Sequence, residues 1–424
     1  MKYFSLENMP TMKATYGFLG AAFFLLVVSF VYSPVTTLGF SLPDDHWMLL
    51  KNEYVHPEKY NWEYFKTIFS RISNIQYSPL NTLFYCLIFK INGFDPYYFH
   101  LANVVIHIIN SLLVFKLAQH LLTVFSVPNK LFASYIVALF WSIHPMHVEV
   151  VAWVSGSKIL LCTLFTLVSF NQFILGVVTK KVSLYLLSIL CFVVSFYFKE
   201  QAIITPVMFL LLLIFYKLQN LKKIRFTVIE ITFLFVMFGL TILFGLYTIH
   251  VNYARELDFP PINYYPLTQR VILIAYCLFF YFSNLIVPRN LKYHQEFPFS
   301  PYETTPDIFA IYAFIMLVAG ALIVYLILRS KDRWFYAFCF LVALAQLSLE
   351  LQIIPMTRPA MVADRYMYFP AITLLLALIP GLMKFRKIPI ARFLYRPLGT
   401  AYLIYFILYS NQMANYWHNL NLIK

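Results

Sequence analysis

Charge is what this sequence lacks. Only 12% of its 424 residues are Asp, Glu, Lys or Arg, against roughly 25% in a soluble domain, and this excludes a fold solvated on all sides by water. Glycine is scarce, 11 residues against 44 Phe and 32 Tyr. Collagen-like, linker-like and disordered chains are therefore excluded, because they are poor in large apolar side chains. The 5 cysteines, Cys86, Cys162, Cys191, Cys277 and Cys339, are odd in number, lie in apolar stretches and form no CxxC. They read as small core hydrophobes, not as metal ligands or a disulfide framework. Serine nucleophile elbows, P-loops and dinucleotide fingerprints are missing.

What is present is hydrophobicity, 61% of residues, in runs long enough to cross a bilayer, which takes about 20 apolar residues. Eleven or twelve stretches qualify, near 15–35, 98–122, 130–146, 157–177, 182–198, 201–217, 226–249, 268–288, 307–328, 333–351, 367–384 and 397–415. The first is too long and lies too late for a cleaved signal peptide and reads as an uncleaved anchor. The expected fold is an all-α polytopic membrane protein, one domain over 1–424 without internal repeats. The net charge of +14 sits in short loops between apolar runs. Topology therefore explains it better than nucleic acid does.

The acid-free basic loops 217–225 and 384–396 predict the cytoplasmic side, and 329–333 joins them. Counting back places the N-terminus inside and the long loop 36–97 outside. Three apolar runs separate 217–225 from 329–333, an odd number between loops that want one side. One run should therefore not cross. The run 268–288 is the candidate, because both flanks of this second external region, 250–306, are rich in proline and aromatics. That leaves an external C-terminus. Inside 36–97, the apolar stretch 79–92 is too short to span and reads as an interfacial or re-entrant helix. Trp62, Tyr64 and Phe65 mark a second interfacial piece.

Four groups of residues can carry chemistry. Asp44-Asp45-His46 follows the first span at the external surface, and an adjacent acid pair suits a general base, a cation ligand or an ordinary solvated loop. His100, Asn103, His107 and Asn110 are spaced 3, 4 and 3 and share one helical face. Such a face serves either as interhelical glue or as a relay or substrate contact. In His144-Pro145-Met146-His147-Val148-Glu149 the HxxHxE order is not HExxH, and Pro145 breaks the helical face that a zinc site needs. A capped external turn aimed at a substrate fits better. Lys199-Glu200 and the loop with Arg358, Asp364 and Arg365 place cations beside the membrane, a natural grip for a lipid-linked phosphate.

Together these segments resemble the membrane module of the transmembrane-and-tetratricopeptide-repeat O-mannosyltransferases, within the GT-C glycosyltransferase superfamily. The likeness runs through Asp44-Asp45-His46, Tyr77-Ser78-Pro79-Leu80, the stretch from Tyr98 to His107, Ser142-Ile143-His144-Pro145-Met146-His147-Val148-Glu149, Phe198-Lys199-Glu200-Gln201 and Ala363-Asp364-Arg365-Tyr366-Met367-Tyr368-Phe369-Pro370. Two departures stand out. Where the family shows Gly-Arg, a residue and Asp, this chain reads Gly156-Ser157-Lys158-Ile159, leaving Lys158 as the stand-in cation. No helical repeat follows Asn415-Tyr416-Trp417-His418-Asn419, so the expectation is a module without a soluble repeat domain.

The resemblance implies transfer of a sugar, mannose by the family's name, from a polyprenyl or dolichyl monophosphate to an acceptor hydroxyl on the non-cytoplasmic side. The acceptor it implies is protein Ser or Thr. Asp44 or Asp45 would be the base of an inverting reaction, with Asp44 favoured. Arg365, Lys199, Arg358 and Lys158 would hold the donor phosphate. His46, His100, Asn103, His107, His144, His147, Glu149, Glu200, Asp364 and Tyr366 would line the pocket. No metal or other cofactor is expected. Heavy use of Phe, Tyr, Ile, Asn and Lys points to an AT-rich bacterial genome, hence to a plasma membrane facing a periplasm. A glycan or lipid acceptor, and a transporter or flippase, stay open as alternatives; the latter usually shows inverted repeats and mid-membrane acids.

Overall fold

The computed structural model describes residues 14–41, 44–70, 77–256, 265–293, 295–351, 353, 360–385, 389–419 and 422–423. They form a bundle of α1 (Ala14–Tyr32), α2 (Trp62–Ser70), α3 (Pro79–Asn92), α4 (Pro96–Val124), α5 (Lys130–Ser142), α6 (Val148–Ala152), α7 (Ser157–Thr179) and α8 (Val182–Phe198). The second half adds α9 (Thr205–Asn220), α10 (Val228–Glu256), α11 (Leu267–Ile286), α12 (Asp307–Arg329), α13 (Arg333–Leu347), α14 (Pro370–Phe385) and α15 (Pro389–Tyr416). The extended residues pair as one short ladder, Phe40 opposite Ile423. Among the described residues 7 helices are long and apolar enough to cross a membrane, and α5 with the chain to Ala152, bent by 54°, makes 8. The apolar helix Val182–Phe198 matches its expected run, while Arg333–Leu347 and Pro370–Lys384 are shorter than theirs. Charge borders each of them, Lys199 and Glu350 after the first two and Arg365 before the third. The chain is a multi-pass membrane protein.

The expected interfacial pieces are α2 and α3. Proline opens α3 at its first turn, where a missing N–H costs nothing, and Gly93 closes it at φ 64. Asp95 caps α4 by accepting from Tyr97 N–H at 3.0 Å. The 29 residues of α4 rise about 43 Å at 1.5 Å per residue. Apolar side chains cover the perimeter of the bundle, as a lipid solvent permits, and α12 buries none of its most apolar window.

The basic loops gather at one end. Glu230, fully buried, takes Lys217 at 2.9 Å and Lys180 at 3.7 Å. Lys384 pairs with Asp332 at 2.7 Å. The Phe215 and Trp334 rings lie 5.9 Å apart, so the loops after α9 and after α12 share a side although three apolar helices separate them. The path of α11 explains this parity. Tyr265 stacks on Phe297 with centroids 5.4 Å apart, Gln269 donates to the Glu303 carbonyl at 2.9 Å, and Tyr276 meets Phe309 and Tyr312 at 5.2 and 5.5 Å. Partner numbers rise together, so α11 and α12 run parallel from the same end of the bundle. The chain between them must return to that end, and it does so along α15. Tyr402 and Tyr405 donate to the Ile286 and Pro288 carbonyls, Tyr409 accepts from Leu291 N–H at 3.5 Å, and Trp417 meets Tyr293 at 5.3 Å. By length α11 is a candidate span, and with the returning chain along α15 it forms a hairpin.

Candidate active site

The acidic pair divides into two unlike carboxylates. Asp45 is fully buried. Its Oδ2 accepts from Ser41 N–H at 2.8 Å, and its Oδ1 accepts from the Ser155 N–H at 2.9 Å and hydroxyl at 2.5 Å. Asp44 is only partly buried. Its Oδ1 accepts from the Trp47 indole at 3.1 Å, and among the described residues its Oδ2 has no hydrogen-bond partner. Asp45 thus ties the first loop to the turn before α7, and Asp44 is the acid that a substrate can reach. Three donors fill Asp45, which leaves Asp44 as the more open carboxylate of the pair.

Burial pushes the Asp45 carboxyl up to about 6, against the pull of the Ser155 and Ser41 bonds, with the Asp44 charge adding a further push. The native group binds its proton more tightly than the unfolded chain does, so protonation favours the fold. Stability should rise as pH falls from above 6 towards 4 and level off below that. Activity should move oppositely over the same window if the ionised Asp45 is what holds Ser155. A pH series of thermal unfolding alongside initial rates checks both directions, and Asp45→Asn should flatten them.

The turn that Asp45 grips is tightly fitted. Ser157 donates to Asn81 Oδ1 or Tyr85 Oη at 2.8 and 2.9 Å, and Tyr85 donates to the Val154 carbonyl at 3.2 Å, fastening α3 beneath the site. Between the serines, a Cβ on Gly156 would lie 2.2 Å from the Val150 carbonyl oxygen. Backbone cannot move aside cheaply, so Gly156→Ala should cost about 1–3 kcal/mol or more and shift Ser155. Thermal unfolding in detergent and the rate of the purified variant test this.

Cations converge on the same turn. Lys158 donates to Met48 Sδ at 3.4 Å and lies 5.6 Å from the Trp153 ring centroid, while Arg365 lies 5.5 Å from the same ring. Lys199, Asp44, Glu200 and Arg365 all act electrostatically on Lys158, which puts the expected stand-in cation among them. Lys199 pairs with Glu200 at 3.4 Å. Glu149 holds Arg365 twice, through the guanidinium and through the backbone N–H at 2.8 Å. Asp364 is buried beside this pair, and burial with the Glu149 charge pushes its carboxyl well above the usual range. Tyr366 faces the Arg365 guanidinium, its oxygen accepting at 3.5 Å. His46 is partly buried at the start of the turn after Asp45. Arg358 lies outside the described residues.

The histidine and asparagine expectations meet a different arrangement. His100 bonds the Gly39 carbonyl at 3.2 Å, Asn103 donates to the Trp153 carbonyl at 2.9 Å, His107 bonds the Ser142 carbonyl at 2.8 Å and Asn110 donates to the Leu160 carbonyl at 2.9 Å. The Ser142 and Trp153 carbonyls lie at the breaks that follow α5 and α6, where the helical ladder ends. The stripe is therefore the interhelical glue that holds the irregular backbone of the site. The turn at Pro145 is also interior, not an external surface. His144 Nδ1 accepts from Met146 N–H at 3.3 Å and its Nε2 meets the Leu285 carbonyl at 3.1 Å. His147 bonds the Trp141 carbonyl at 2.6 Å, and only Glu149 of that motif reaches the cation cluster. No group of three or more His, Cys, Asp and Glu among the described residues is placed to hold a metal ion.

Two contributors escaped the sequence reading. Tyr293, on the returning arm of the hairpin, packs edge-on against Trp153 at 5.8 Å and lies within electrostatic reach of Asp44, Arg365 and Glu149. Ser155 supplies two of the donors to Asp45. Neither belongs to a motif, and only the folded path brings them in.

No family model matches the sequence. Among curated proteins, the chain is 30% identical over 171 residues to protein O-mannosyl-transferase TMTC1 of Mus musculus, an alignment covering 38% of this chain and 18% of that protein. It is 37% identical over 109 residues to human TMTC4, covering 24% and 15%. The chain resembles the membrane module of the TMTC O-mannosyltransferases. The matched segments span less than a fifth of those relatives' length. Among solved structures, the Archaeoglobus fulgidus oligosaccharyltransferase tethered with an acceptor peptide superposes with a TM-score of 0.52 at 13% identity, over 95% of this chain and 55% of that one. The fold is thus that of the GT-C polytopic membrane glycosyltransferases, as the order of motifs in the sequence leads one to expect.

Proposed function

We propose that this chain is a glycosyltransferase that moves a sugar from a polyprenyl monophosphate to an acceptor hydroxyl. The observation that carries the reading is the placement of one accessible carboxylate, Asp44, within electrostatic range of Lys158, in the same cluster as Lys199 and Arg365. A base and an anion grip are thereby set side by side, at the end of the bundle opposite the basic loops. The acceptor oxygen attacks the anomeric carbon as its proton passes to Asp44. The bond from that carbon to the carrier phosphate breaks from the other face, and the electron pair leaves on the phosphate. Arg365, Lys158 and Lys199 balance that charge as it grows. The anomer inverts.

Mannose and a protein Ser or Thr acceptor follow from the resemblance to the TMTC proteins. The positive-inside bias supports a site on the non-cytoplasmic face, periplasmic in a bacterium. The proposed reaction needs no metal, so a chelator should leave the rate unchanged. The test is purified protein in liposomes with a panel of polyprenyl-phosphate sugars and Ser/Thr peptides, with products read by mass and anomeric configuration. Inverted product supports the reading. Movement of the lipid across the bilayer without product would replace it with a flippase.

A further inference from the structure

Trp153 is 3% exposed, and its indole Nε1–H is buried with no partner. Buried donors are almost always satisfied, and leaving one unmade costs about 1–3 kcal/mol. The charged groups against this ring are Lys158 and Arg365, which are donors and cannot answer another donor. Tyr293 meets the ring edge-on. The Trp153 carbonyl is already taken by Asn103, which fixes the residue's backbone at the turn before α7. The site therefore offers an unpartnered neutral N–H on a ring that two cations approach, a set that suits an oxyanion with several acceptor oxygens.

We propose that Trp153 is a donor-binding residue whose indole N–H bonds a phosphate oxygen of the lipid-linked substrate, while its ring holds Lys158 and Arg365 in place around the same group. This deepens the transferase reading and rests on it. The residue would act in two separable ways. Trp153→Phe keeps an aromatic ring beside both cations and removes the N–H with part of the indole, whereas Trp153→Ala removes the ring altogether.

The experiment titrates undecaprenyl phosphate, and separately undecaprenol, onto the detergent-purified full chain by native mass spectrometry. Trp153→Phe should weaken undecaprenyl phosphate about 10- to 100-fold, the range of a lost hydrogen bond to a charged acceptor. It should leave undecaprenol binding and thermal unfolding near those of the parent. Trp153→Ala should weaken the phosphate further. In turnover, Trp153→Phe should raise the donor KM more than it lowers kcat. Equal affinity of parent and Trp153→Phe for the phosphate would show that water alone serves the N–H and overturn the proposal, with the transferase reading intact. A parallel loss for phosphate and alcohol would mark a packing role and overturn it as well. A parent chain that binds no undecaprenyl phosphate would overturn both.

Discussion

An Asp44→Asn protein is expected to insert and fold as the parent does and to transfer sugar about 10²–10⁴-fold more slowly, the usual contribution of a positioned general base. The side chain is partly accessible, and its Trp47 bond is one that an amide oxygen can still accept. The substitution therefore removes proton uptake and little else. The donor KM should barely move, because the cations that grip phosphate are untouched. Asp45→Asn should behave differently. It places an amide N–H against the Ser41 or Ser155 donors, so rate and unfolding temperature should fall together. Single-turnover rates and thermal unfolding of both variants separate the roles. Near-normal turnover by Asp44→Asn would remove the base from the mechanism.

Glu149→Ala carries the second large effect, on stability. Glu149 is buried, with its side chain 4% exposed, and both its oxygens hold Arg365. Removing one member of a buried pair leaves an uncompensated charge and typically costs about 3–5 kcal/mol. Here the orphan would include the Arg365 backbone N–H as well as the guanidinium. Loss of the acid should also drive Asp364 towards its ionised form, since the neighbouring charge that opposes ionisation is gone. Denaturant unfolding of Glu149→Ala, Arg365→Ala and the double variant forms a cycle. The expected result is a double variant less destabilised than the sum of the two. Additive losses would show that the pair does not act as a unit.

Much of this was legible in the sequence. Periodicity and length gave α3 as a helix too short to span. The charge of three loops gave their common end, and the run that their parity singles out, α11, is followed by a return of the chain along α15. The spacing of His100, Asn103, His107 and Asn110 showed one face. It could not show what that face meets, because the carbonyls it serves, those of Gly39, Ser142, Trp153 and Leu160, are distant in sequence. The division of labour within Asp44-Asp45 was also hidden. Adjacent residues have the same local chemistry, and only the turn at Ser155 decides which is sealed. Tyr293 and the Trp153 N–H were illegible for the same reason: their roles arise from neighbours that the hairpin delivers.

That hairpin has a consequence for how such a chain can change over time. A segment that departs from one compartment and comes back to it is silent in the bookkeeping of sidedness. Residues 265–306 could be lengthened, swapped or lost without turning any later helix inside out. Its returning arm, which brings Tyr293 to the acids, is therefore free to diversify. Recognition can be rewritten there while the orientation of the remaining helices stays as it was.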